Sequence, residues 1–598
     1  MKPFTYLALL LSRSAAAQAS PQLYSQWSNS SNIPSTSSLS TTTESPYTSV
    51  ATTTFSQVTS DSAHSSSSGS TTTSIAPACA TIQSSSLSHS RSDAAKAEAV
   101  KNAFIRSWNQ YSDYCFGQDT LIVTNDTCIN NYNGWGVTIV DALDTAIIMN
   151  LTGIVSASLA HIAAVDFTTV KTFKNVNGFE TTIRYLGGLL SAYDLINSDL
   201  VEDGTYDADH VDALLTQAVT LAGKLNFRFD SPSGLPTDSV DFFTNTGVSN
   251  IFVSPLDNTT YDSSNTAVCG SFTLEYYRLS DLTGDDTYRR IADNAVEKLT
   301  NLSSAAETSL YPGLVGSQVD LDSGRYLQSD YGWGANIDSF YEYLIKSYIY
   351  GERSDVDGAT YWAQAVLSTV DNTLVSPYDW PDLTFVQRGD AFGSPKYTMD
   401  TYTCFAGGNW LYGATYLLNY NPNHPDLQSF ITSSLSLIST CNHLYNTTTS
   451  GLAPAKISWF NSTFQTTNAT WESNGTYQAS AQSRGYFILD AQYDSFPETI
   501  ESIWYAWRIT GDTKYKDWNW EIFRSLMEQS DRDGGVAYGG IMDVDEPTPR
   551  FKDALPSYYF AETLKYLYLT FLVGGVVSLD GWVFNTEGHP FRIGGCEG

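Results

Sequence analysis

Apolar residues in this chain recur at intervals of three and four, as in Leu564, Leu567 and Phe571. That spacing places side chains on one face of an α-helix and predicts amphipathic helices with a buried stripe. The run from Leu564 to Leu579 is strongly apolar, but it contains Lys565 and tyrosines. The pattern therefore favours a buried helix over a membrane span there.

One helical unit repeats along the chain. The segment 274–288 (LEYYRLSDLTGDDTY) resembles 503–515 (IWYAWRITGDTKY), and weaker copies follow 189–193 and 343–348. Each unit reads as an aromatic helix, a Thr-Gly-Asp turn and a second helix. Glycine suits the position after a helix, and aspartate caps the next one. Repeated hairpins predict an all-α dominated domain, built as a closed toroid or an open solenoid.

Strand signals are fewer and predict only short β-hairpin pieces, at 582–584 and 535–539. If the helical hairpins close into a ring, the ends of the inner helices converge on one axial cavity. Residues distant in sequence would then become neighbours.

Composition divides the chain into three parts. Residues 1–19 read as a signal peptide, with Lys2, a short apolar run and small residues near Ala17; an uncleaved membrane anchor is the alternative. Residues 20–91 are rich in Ser and Thr and are predicted to be disordered and O-glycosylated. Residues 92–598 show no second linker and are predicted to form one large catalytic domain.

The formal net charge is −32, with 31 Lys and Arg against 63 Asp and Glu. Nucleic acid is therefore excluded as a partner, because phosphate binding needs a basic face. We expect a monomer without stable membrane association, either secreted or in the lumen of the secretory pathway. Eight Asn-X-Ser/Thr sequons beyond residue 91 support that location: Asn125, Asn150, Asn258, Asn301, Asn446, Asn461, Asn468 and Asn474. The last four predict an exposed loop region between Asn446 and Asn474.

The cysteine count is seven, so at least one thiol is unpaired or pairs atypically. Cys115 and Cys128 are spaced to close a short loop, and Cys404 and Cys441 a longer one. The pairings of Cys79, Cys115, Cys128, Cys269 and Cys596 stay open. No spacing typical of a zinc site is present.

Three acidic stations lie about 160 residues apart: Glu180 with Arg184, Asp338 with Glu342, and Glu498 with Glu501. Each pairs two charges on one helix face. Two stations pair like charges, which destabilises a helix unless a ligand, a metal or a shared proton compensates. A surface ion-pair network is the alternative for each station alone. Converging in one pocket with aromatic residues, the acids would suit a sugar and supply the two carboxyls of glycoside hydrolysis.

Six motifs carry a resemblance to glycoside hydrolase family 47, the class I α-mannosidases. In sequence order they are Gly134-Trp-Gly with Val140-Asp-Ala-Leu-Asp-Thr145, the segment 179–193, the segment 338–344, Pro497-Glu-Thr-Ile-Glu-Ser502, Ala561-Glu-Thr-Leu-Lys-Tyr566 and Phe584-Asn-Thr-Glu-Gly-His-Pro590. The match runs in unbroken order from about Ala94 to Ile593, and it resembles secreted fungal members.

This resemblance implies an (α/α)7 barrel and inverting removal of α-1,2-linked mannose, with one Ca²⁺ in the barrel floor. Glu180 and Asp338 are implied as acid-side candidates, without a choice between them, and Glu498 as the base. Thr586 would hold the ion through its hydroxyl and carbonyl oxygens. The implied sugar-binding floor comprises Arg184, Glu342, Glu501, Glu562 and Glu587. The resemblance also implies a Cys404–Cys441 disulfide.

The chain departs from the family pattern beside these acids. Thr401 stands where members usually carry His, Phe496 where they carry Arg, and Ala455 where they carry Glu. Asn336 occupies a position that varies and is Arg in members cleaving one branch. These substitutions predict either ordinary drift or a remodelled leaving-group subsite, with Thr401, Phe496 and Asn336 contacting substrate.

We therefore expect a secreted, Ca²⁺-dependent, inverting exo-α-mannosidase that trims α-1,2-linked mannose from N-glycans or mannans. One alternative keeps the mechanism but cleaves a different α-mannosidic linkage. Another is a mannose-binding or glycoprotein quality-control factor with little turnover; the full set of Glu180, Asp338 and Glu498 argues against it. A structural cell-wall mannoprotein gains nothing from the acidic floor.

Overall fold

A computed structural model describes residues 80–89, 93–172, 175–301, 311–351, 356–461, 466, 468–530 and 540–594. These lie in one compact unit, Gly69–Gly598, whereas the other unit, Met1–Ser68, falls wholly outside the described residues. The predicted signal peptide, most of the Ser/Thr-rich segment and the possible strand at 535–539 are also outside them. None of the helices in these ranges is long and apolar enough to cross a bilayer.

Seven helices form an inner ring within the described residues. In chain order they are Val137–Ile148, Gly187–Ile196, Thr273–Thr283, Asp338–Tyr350, Phe405–Leu418, Glu498–Thr510 and Leu564–Phe571. Each packs on the next, and the short π-helical segment Tyr559–Thr563 closes the ring by packing on the first helix. The ring brings one end of every inner helix towards a common axis.

A second layer of seven helices covers the ring. Its members are Ala94–Cys115, Thr152–Ala164, Ala208–Leu225, Asp286–Leu299, Val356–Asn372, Pro425–Asn446 and Lys514–Ser530. Each packs on one inner helix. The inner helices are buried nearly all round, whereas outer helices such as Ala208–Leu225 bury one stripe. The predicted (α/α)7 barrel is confirmed, and the toroid is chosen over the open solenoid.

The repeat turns adopt the geometry that their residues predict. Gly284 and Gly511 follow their helices with φ of 71° and 69°, a left-handed conformation that glycine tolerates best. Asp285 accepts a hydrogen bond from the backbone N–H of Thr287, 2.9 Å away, and so caps the next helix.

Shorter helices complete the chain: the 3₁₀ segments Ser85–His89, Asn226–Phe229 and Thr401–Cys404, the π-helical segments Thr181–Leu186 and Tyr559–Thr563, and the α-helices Gly178–Glu180, Thr266–Gly270, Ala469–Glu472 and Gly475–Arg484. Residues 80–89 are bound to the barrel, since the backbone N–H of Ile82 donates to Asp580 at 2.6 Å. The packed region therefore begins before residue 92, the predicted start of the catalytic domain.

Strands are more extensive than the short hairpins predicted. One antiparallel sheet has six strands in the spatial order Pro395–Lys396, Arg388–Gly389, Tyr326–Tyr331, Gly316–Asp320, Thr260–Asn265 and Asn250–Val253. Two three-stranded sheets contain Asn175–Asn177, Ser239–Asp241 and Thr246–Val248, and Thr398–Asp400, Lys456–Ser458 and Phe487–Asp490. Three two-stranded hairpins join Thr120–Ile122 to Thr127–Ile129, Leu374–Val375 to Phe385–Val386, and Trp582–Phe584 to Pro590–Arg592. The strand predicted at 582–584 is confirmed.

The predicted loop region between Asn446 and Asn474 is partly wrong. It contains the strand Lys456–Ser458, which pairs with strands on both sides. Ile457 and Trp459 are buried, and the Trp459 ring stacks on Phe385 with centroids 4.7 Å apart. Of the four sequon residues around this strand, Asn446 is exposed and Asn461, Asn468 and Asn474 are half-buried, and apolar side chains between them hold the segment against the core.

Candidate active site

The hairpin Trp582–Phe584 and Pro590–Arg592 enters the ring and packs against the inner helices Asp338–Tyr350 and Gly187–Ile196. The Asn585 side chain holds its turn, because Asn585 Oδ1 accepts hydrogen bonds from the backbone N–H groups of Glu587 and His589 at 2.9 and 2.8 Å. The turn therefore presents Thr586 and Glu587 at the axis of the barrel.

Buried charges anchor this turn. His589 contacts Asp144 at 2.7 Å and Asp141 at 3.2 Å, and Lys565 donates to Asp144 and to the Gly588 carbonyl at 2.7 and 2.6 Å. Burial acts to lower the pKa of His589, but the two carboxylates outweigh it and raise that pKa to about 8. The imidazolium form holds the hairpin to the helix Val137–Ile148.

The first station places Glu180 at the start of a π-helical turn. Arg184 donates to Glu180 at 2.7 Å, contacts Asp141 at 3.4 Å and forms a short ion pair with Glu587. The predicted Glu180–Arg184 pair is therefore formed, but it is buried and extends to the hairpin turn. A surface ion pair is ruled out at this station.

The second and third stations meet through Lys346. This lysine forms a short ion pair with Glu342 and lies 3.6 Å from Glu501, whose other contact is the Tyr566 hydroxyl at 3.5 Å. Lys346 is fully buried. Burial raises the pKa of Glu501 to about 8, with Lys346 opposing and Glu342 adding to the rise. One cation thus joins acids from two helices 160 residues apart.

Asp338 and Glu498 begin their inner helices at the same end of the barrel. Burial raises the pKa of Asp338 to about 7, and Glu342 adds to the rise while Arg388 opposes it. Burial raises the pKa of Glu498 to about 8, with Glu501 and Asp338 adding to the rise. Oε2 of Glu498 is buried and has no hydrogen-bond partner among the described residues. The second and third stations therefore form one buried charge cluster, and Glu562 links it to the first station, because Glu498, Glu501 and Arg184 all act on the pKa of Glu562.

Two further acids complete the floor. Burial raises the pKa of Glu587 to about 8, although Arg184 opposes this. Burial also raises the pKa of Glu562 well above its usual value, with Glu587 and Glu498 adding to the rise. The floor thus holds more carboxyls than Arg184 and Lys346 can neutralise.

This donor set fits a hard cation. Within the described residues, no group of three or more His, Cys, Asp or Glu side chains is arranged to hold a metal directly. Thr586, however, is half-buried at the tip of the hairpin and directly precedes Glu587, which together with Glu562 has a raised pKa. Hydroxyl, carbonyl and carboxylate oxygens are the ligands that Ca²⁺ prefers, and carboxylates bind it through water as well as directly.

The side chains packed beside Glu498 are mostly apolar, and we call them the outer wall of the site. Phe496 is 4% exposed, and its ring packs edge-on against Tyr402 and Tyr493, at centroid distances of 5.1 and 5.6 Å. Thr401 is buried; its hydroxyl donates to the Pro454 carbonyl. The Thr401 and Phe496 side chains are thus committed to the wall, and their predicted contact with substrate stays a prediction.

A basic cluster lies beside Asp338. Asp400 accepts hydrogen bonds from Arg388 at 2.9 Å and pairs with Lys456 at 3.0 Å. Asn336, two residues before Asp338, has a left-handed φ of 76°, and its carbonyl accepts from the N–H of Ala267 at 2.9 Å. Asn336 therefore shapes the turn that leads to Asp338, and its predicted contact with substrate stays a prediction.

The disulfide that the resemblance implies is confirmed, and a second one closes the short loop that the cysteine spacing allows. Cys404 bonds to Cys441 and joins an inner helix to its outer partner, and Cys115 bonds to Cys128. Cys269 is buried with a free thiol. Cys79 and Cys596 lie outside the described residues.

Sequence reasoning did not assign the buried partners of the acids: Asp141, Asp144, Lys346, Arg388, Lys565 and His589. The i,i+3 spacing of Asp141 and Asp144 in an apolar helix was an available signal. Arg228 was missed too. It is buried behind Glu180 and donates to Thr182 Oγ1, the Val268 carbonyl and the Thr237 carbonyl at 3.2–3.3 Å. Its guanidinium leaves no room for a side chain at Gly178.

An α/α barrel with paired buried carboxyls at its axis defines a class of sugar-processing proteins. Glycosyl hydrolase family 47 matches residues 103–593. A probable mannosyl-oligosaccharide alpha-1,2-mannosidase 1B from Aspergillus niger is 36% identical over 513 residues, covering 84% of this chain and 93% of that protein. A mannosyl-oligosaccharide alpha-1,2-mannosidase from Coccidioides posadasii is 36% identical over 510 residues, covering 83% and 91%.

Structural comparison agrees. The alpha-1,2-mannosidase from Trichoderma reesei superposes with a TM-score of 0.76 at 34% identity, covering 84% of this chain and 100% of that one. The chain belongs to glycosyl hydrolase family 47 and is a glycoside hydrolase.

Proposed function

We propose that this chain is a Ca²⁺-dependent, inverting exo-α-mannosidase that removes α-1,2-linked mannose from N-glycans or mannans. The observation that supports the proposal is the buried charge cluster to which Asp338 and Glu498 belong and which Glu562 links to Arg184, the partner of Glu180. The similar proteins named above are alpha-1,2-mannosidases from three fungal genera, which supports the choice of sugar and linkage. The sequons and the N-terminal sequence pattern support a secreted or secretory-pathway protein.

Glu498 is proposed as the base that activates water. Its Oε2 has no hydrogen-bond partner among the described residues and is therefore available to accept a proton from a bound water. A base must be ionised, yet burial raises the pKa of Glu498 to about 8. A positive charge in the floor is needed to bring that pKa down.

Asp338 is proposed as the group that protonates the leaving oxygen. Its pKa, raised by burial to about 7, keeps it largely protonated in mildly acid solution. Glu180 instead accepts a hydrogen bond from Arg184 at 2.7 Å. Glu180 then stabilises positive charge that develops on the sugar ring in the transition state.

The floor is proposed to bind the terminal mannose and the ion. Thr586 would hold Ca²⁺ through its hydroxyl and carbonyl oxygens, with Glu342, Glu501, Glu562 and Glu587 around it. When bound, Ca²⁺ supplies positive charge that lowers the pKa of these carboxyls and binds sugar hydroxyls. The residues of the floor orient the sugar so that its anomeric carbon faces the water on Glu498.

A second candidate keeps this mechanism but acts on another α-mannosidic linkage. The apolar packing of Phe496, Tyr402 and Tyr493 favours it, because Phe496 offers a leaving sugar no hydrogen-bond donor and only Tyr402 of the three is partly exposed.

A panel of α-1,2-, α-1,3- and α-1,6-mannobiose, digested with and without a chelator, tests both candidates. The first predicts that α-1,2-mannobiose is cleaved fastest and that chelation abolishes turnover. Faster cleavage of another linkage overturns the first and supports the second. Turnover that persists after exhaustive chelation contradicts the role given to Ca²⁺.

A further inference from the structure

One edge of the six-stranded sheet is unusually apolar. The strand Asn250–Val253 has only Thr260–Asn265 as a neighbour within the described sheet. Ile251 is 63% exposed and Val253 is 53% exposed, and alternation along a strand puts both on one face. Leu256, in the turn that follows, is 50% exposed.

Such an edge is a hazard for a protein at high concentration. An exposed strand offers unpaired backbone groups to a second chain, and apolar side chains strengthen that contact. Natural edges are protected by charge, proline, a bulge or a cover. Ile251 and Val253 themselves provide no charge.

The turn of the same hairpin carries a sequon. Asn258, Thr259 and Thr260 are all exposed. Val253 pairs with Thr260, so the sequon begins within two residues of the apolar strand's partner. Two backbone hydrogen bonds fix the turn: the Ser254 N–H donates to the Thr259 carbonyl at 2.9 Å, and the Asn258 N–H donates to the Ser254 carbonyl at 3.0 Å.

We propose that Asn258 carries an N-linked glycan and that this glycan covers the exposed edge formed by Ile251, Val253 and Leu256. The cover is covalently attached to the hairpin that needs it, so it requires no partner protein. Pyranose rings present apolar C–H faces as well as hydroxyls, which suits a surface that must contact Ile and Val and still face water. The proposal rests on passage through the secretory pathway and not on the catalytic mechanism.

Another sequon provides a matched control. Asn150 is exposed with φ of 53° at the end of the helix Val137–Ile148. No strongly exposed large apolar residue lies within ten residues of it in sequence. Loss of a glycan at Asn150 removes similar hydrophilic mass without uncovering an apolar edge.

The test uses the full chain secreted from a fungal host. Glycopeptide mass spectrometry measures occupancy at Asn258 and Asn150 in the wild type. N258Q, N150Q and T260S, which keeps the sequon, are then compared by light scattering over a concentration series. We expect both sites to be occupied, and N258Q to associate at a several-fold lower concentration than the other two. Mannosidase turnover per folded molecule should not change.

A rescue variant separates covering from folding. I251T/V253T in the N258Q background keeps β-branched residues in the strand and removes most of its exposed apolar surface. We expect it to return to the monomer range of the wild type. The proposal is overturned if Asn258 is unmodified, if N258Q is as dispersed as N150Q, or if the rescue variant associates as readily as N258Q.

Discussion

The floor and the outer wall of the pocket are built by opposite means. In the floor, Glu342, Glu501 and Glu587 are buried and paired with Lys346 or Arg184. In the wall, the Phe496 ring packs directly against Tyr402 and Tyr493. The Thr401 hydroxyl, a polar group in this wall, donates its hydrogen bond to a backbone carbonyl. The floor is a charge network, whereas the wall is an aromatic core that happens to border the site.

This contrast teaches where change is tolerated. In a buried charge network, removal of one member leaves its partner buried and unpaired, so each substitution strongly destabilises the folded protein. In an apolar wall, a volume-conserving change costs little and mainly alters the shape presented to the substrate. We therefore expect the floor to determine whether a mannoside is cleaved and the wall to determine which one.

The largest expected effect comes from E498Q. Loss of the base should reduce kcat about 10³-fold, within the range that general bases contribute. Thermal stability should be retained, because the amide removes a carboxyl whose ionisation burial disfavours. The measurement is steady-state turnover of the preferred mannobiose, with E528Q, an exposed carboxyl on an outer helix, as the control. Activity of E498Q close to that of E528Q would rule out the assigned base.

The next effect is on stability and comes from K346M. Without the ammonium, Glu342 and Glu501 lose their shared buried cation, and breaking such a pair costs about 3–5 kcal/mol. The matched control is K456M, whose side chain is 38% exposed beside Asp400, which keeps Arg388. We expect less than about 1 kcal/mol there. If urea denaturation shows equal losses of unfolding free energy in K346M and K456M, the distinction between the buried floor and a partly exposed ion pair is refuted.

The pH dependence of the Ca²⁺-free protein is a third effect. Burial raises the pKa of Glu498 to about 8 and that of Asp338 to about 7, against 4.5 and 3.8 ordinarily. At pH values between the ordinary and the raised pKa of each group, the folded state binds more protons than the unfolded chain. The free energy of unfolding therefore falls as pH rises towards 8. Tm should drop by several degrees from pH 5 to pH 8, and added Ca²⁺ should restore most of it at pH 8. A Tm that does not respond to Ca²⁺ at pH 8 contradicts this account.

The smallest effect is expected at the wall. F496L keeps the wall apolar but removes buried ring atoms, so it should cost about 1–2 kcal/mol. It should change the ratio of rates on differently linked mannobioses by a few-fold, because the leaving sugar loses an aromatic neighbour. F430L, a buried aromatic on an outer helix, is the control for packing alone. If the ratio of rates on differently linked mannobioses is unchanged in F496L but changes in F430L, the wall does not contribute to substrate selection.

Much of the site was predictable because the acids occur at helix starts with helical spacing. The spacing singles out Glu180, Asp338 and Glu498, and the repeat implies that they meet if the hairpins close into a ring, but only the family resemblance implies their roles. The ion-pair partners were harder, because Lys346 four residues after Glu342 looks like an ordinary surface pair until the ring closes around it. The six-stranded sheet was missed because its strands are two to six residues long and pair across long sequence separations.

Proton NMR of the first product tests the central claim most directly. Hydrolysis of the preferred mannobiose should be followed in the first minutes, before mutarotation equilibrates the anomers. With Glu498 activating water opposite the acid Asp338, β-mannose is the predicted first product, and α-mannose grows in later. If α-mannose appears first, the reaction retains configuration, and the roles given to Glu498 and Asp338 are wrong.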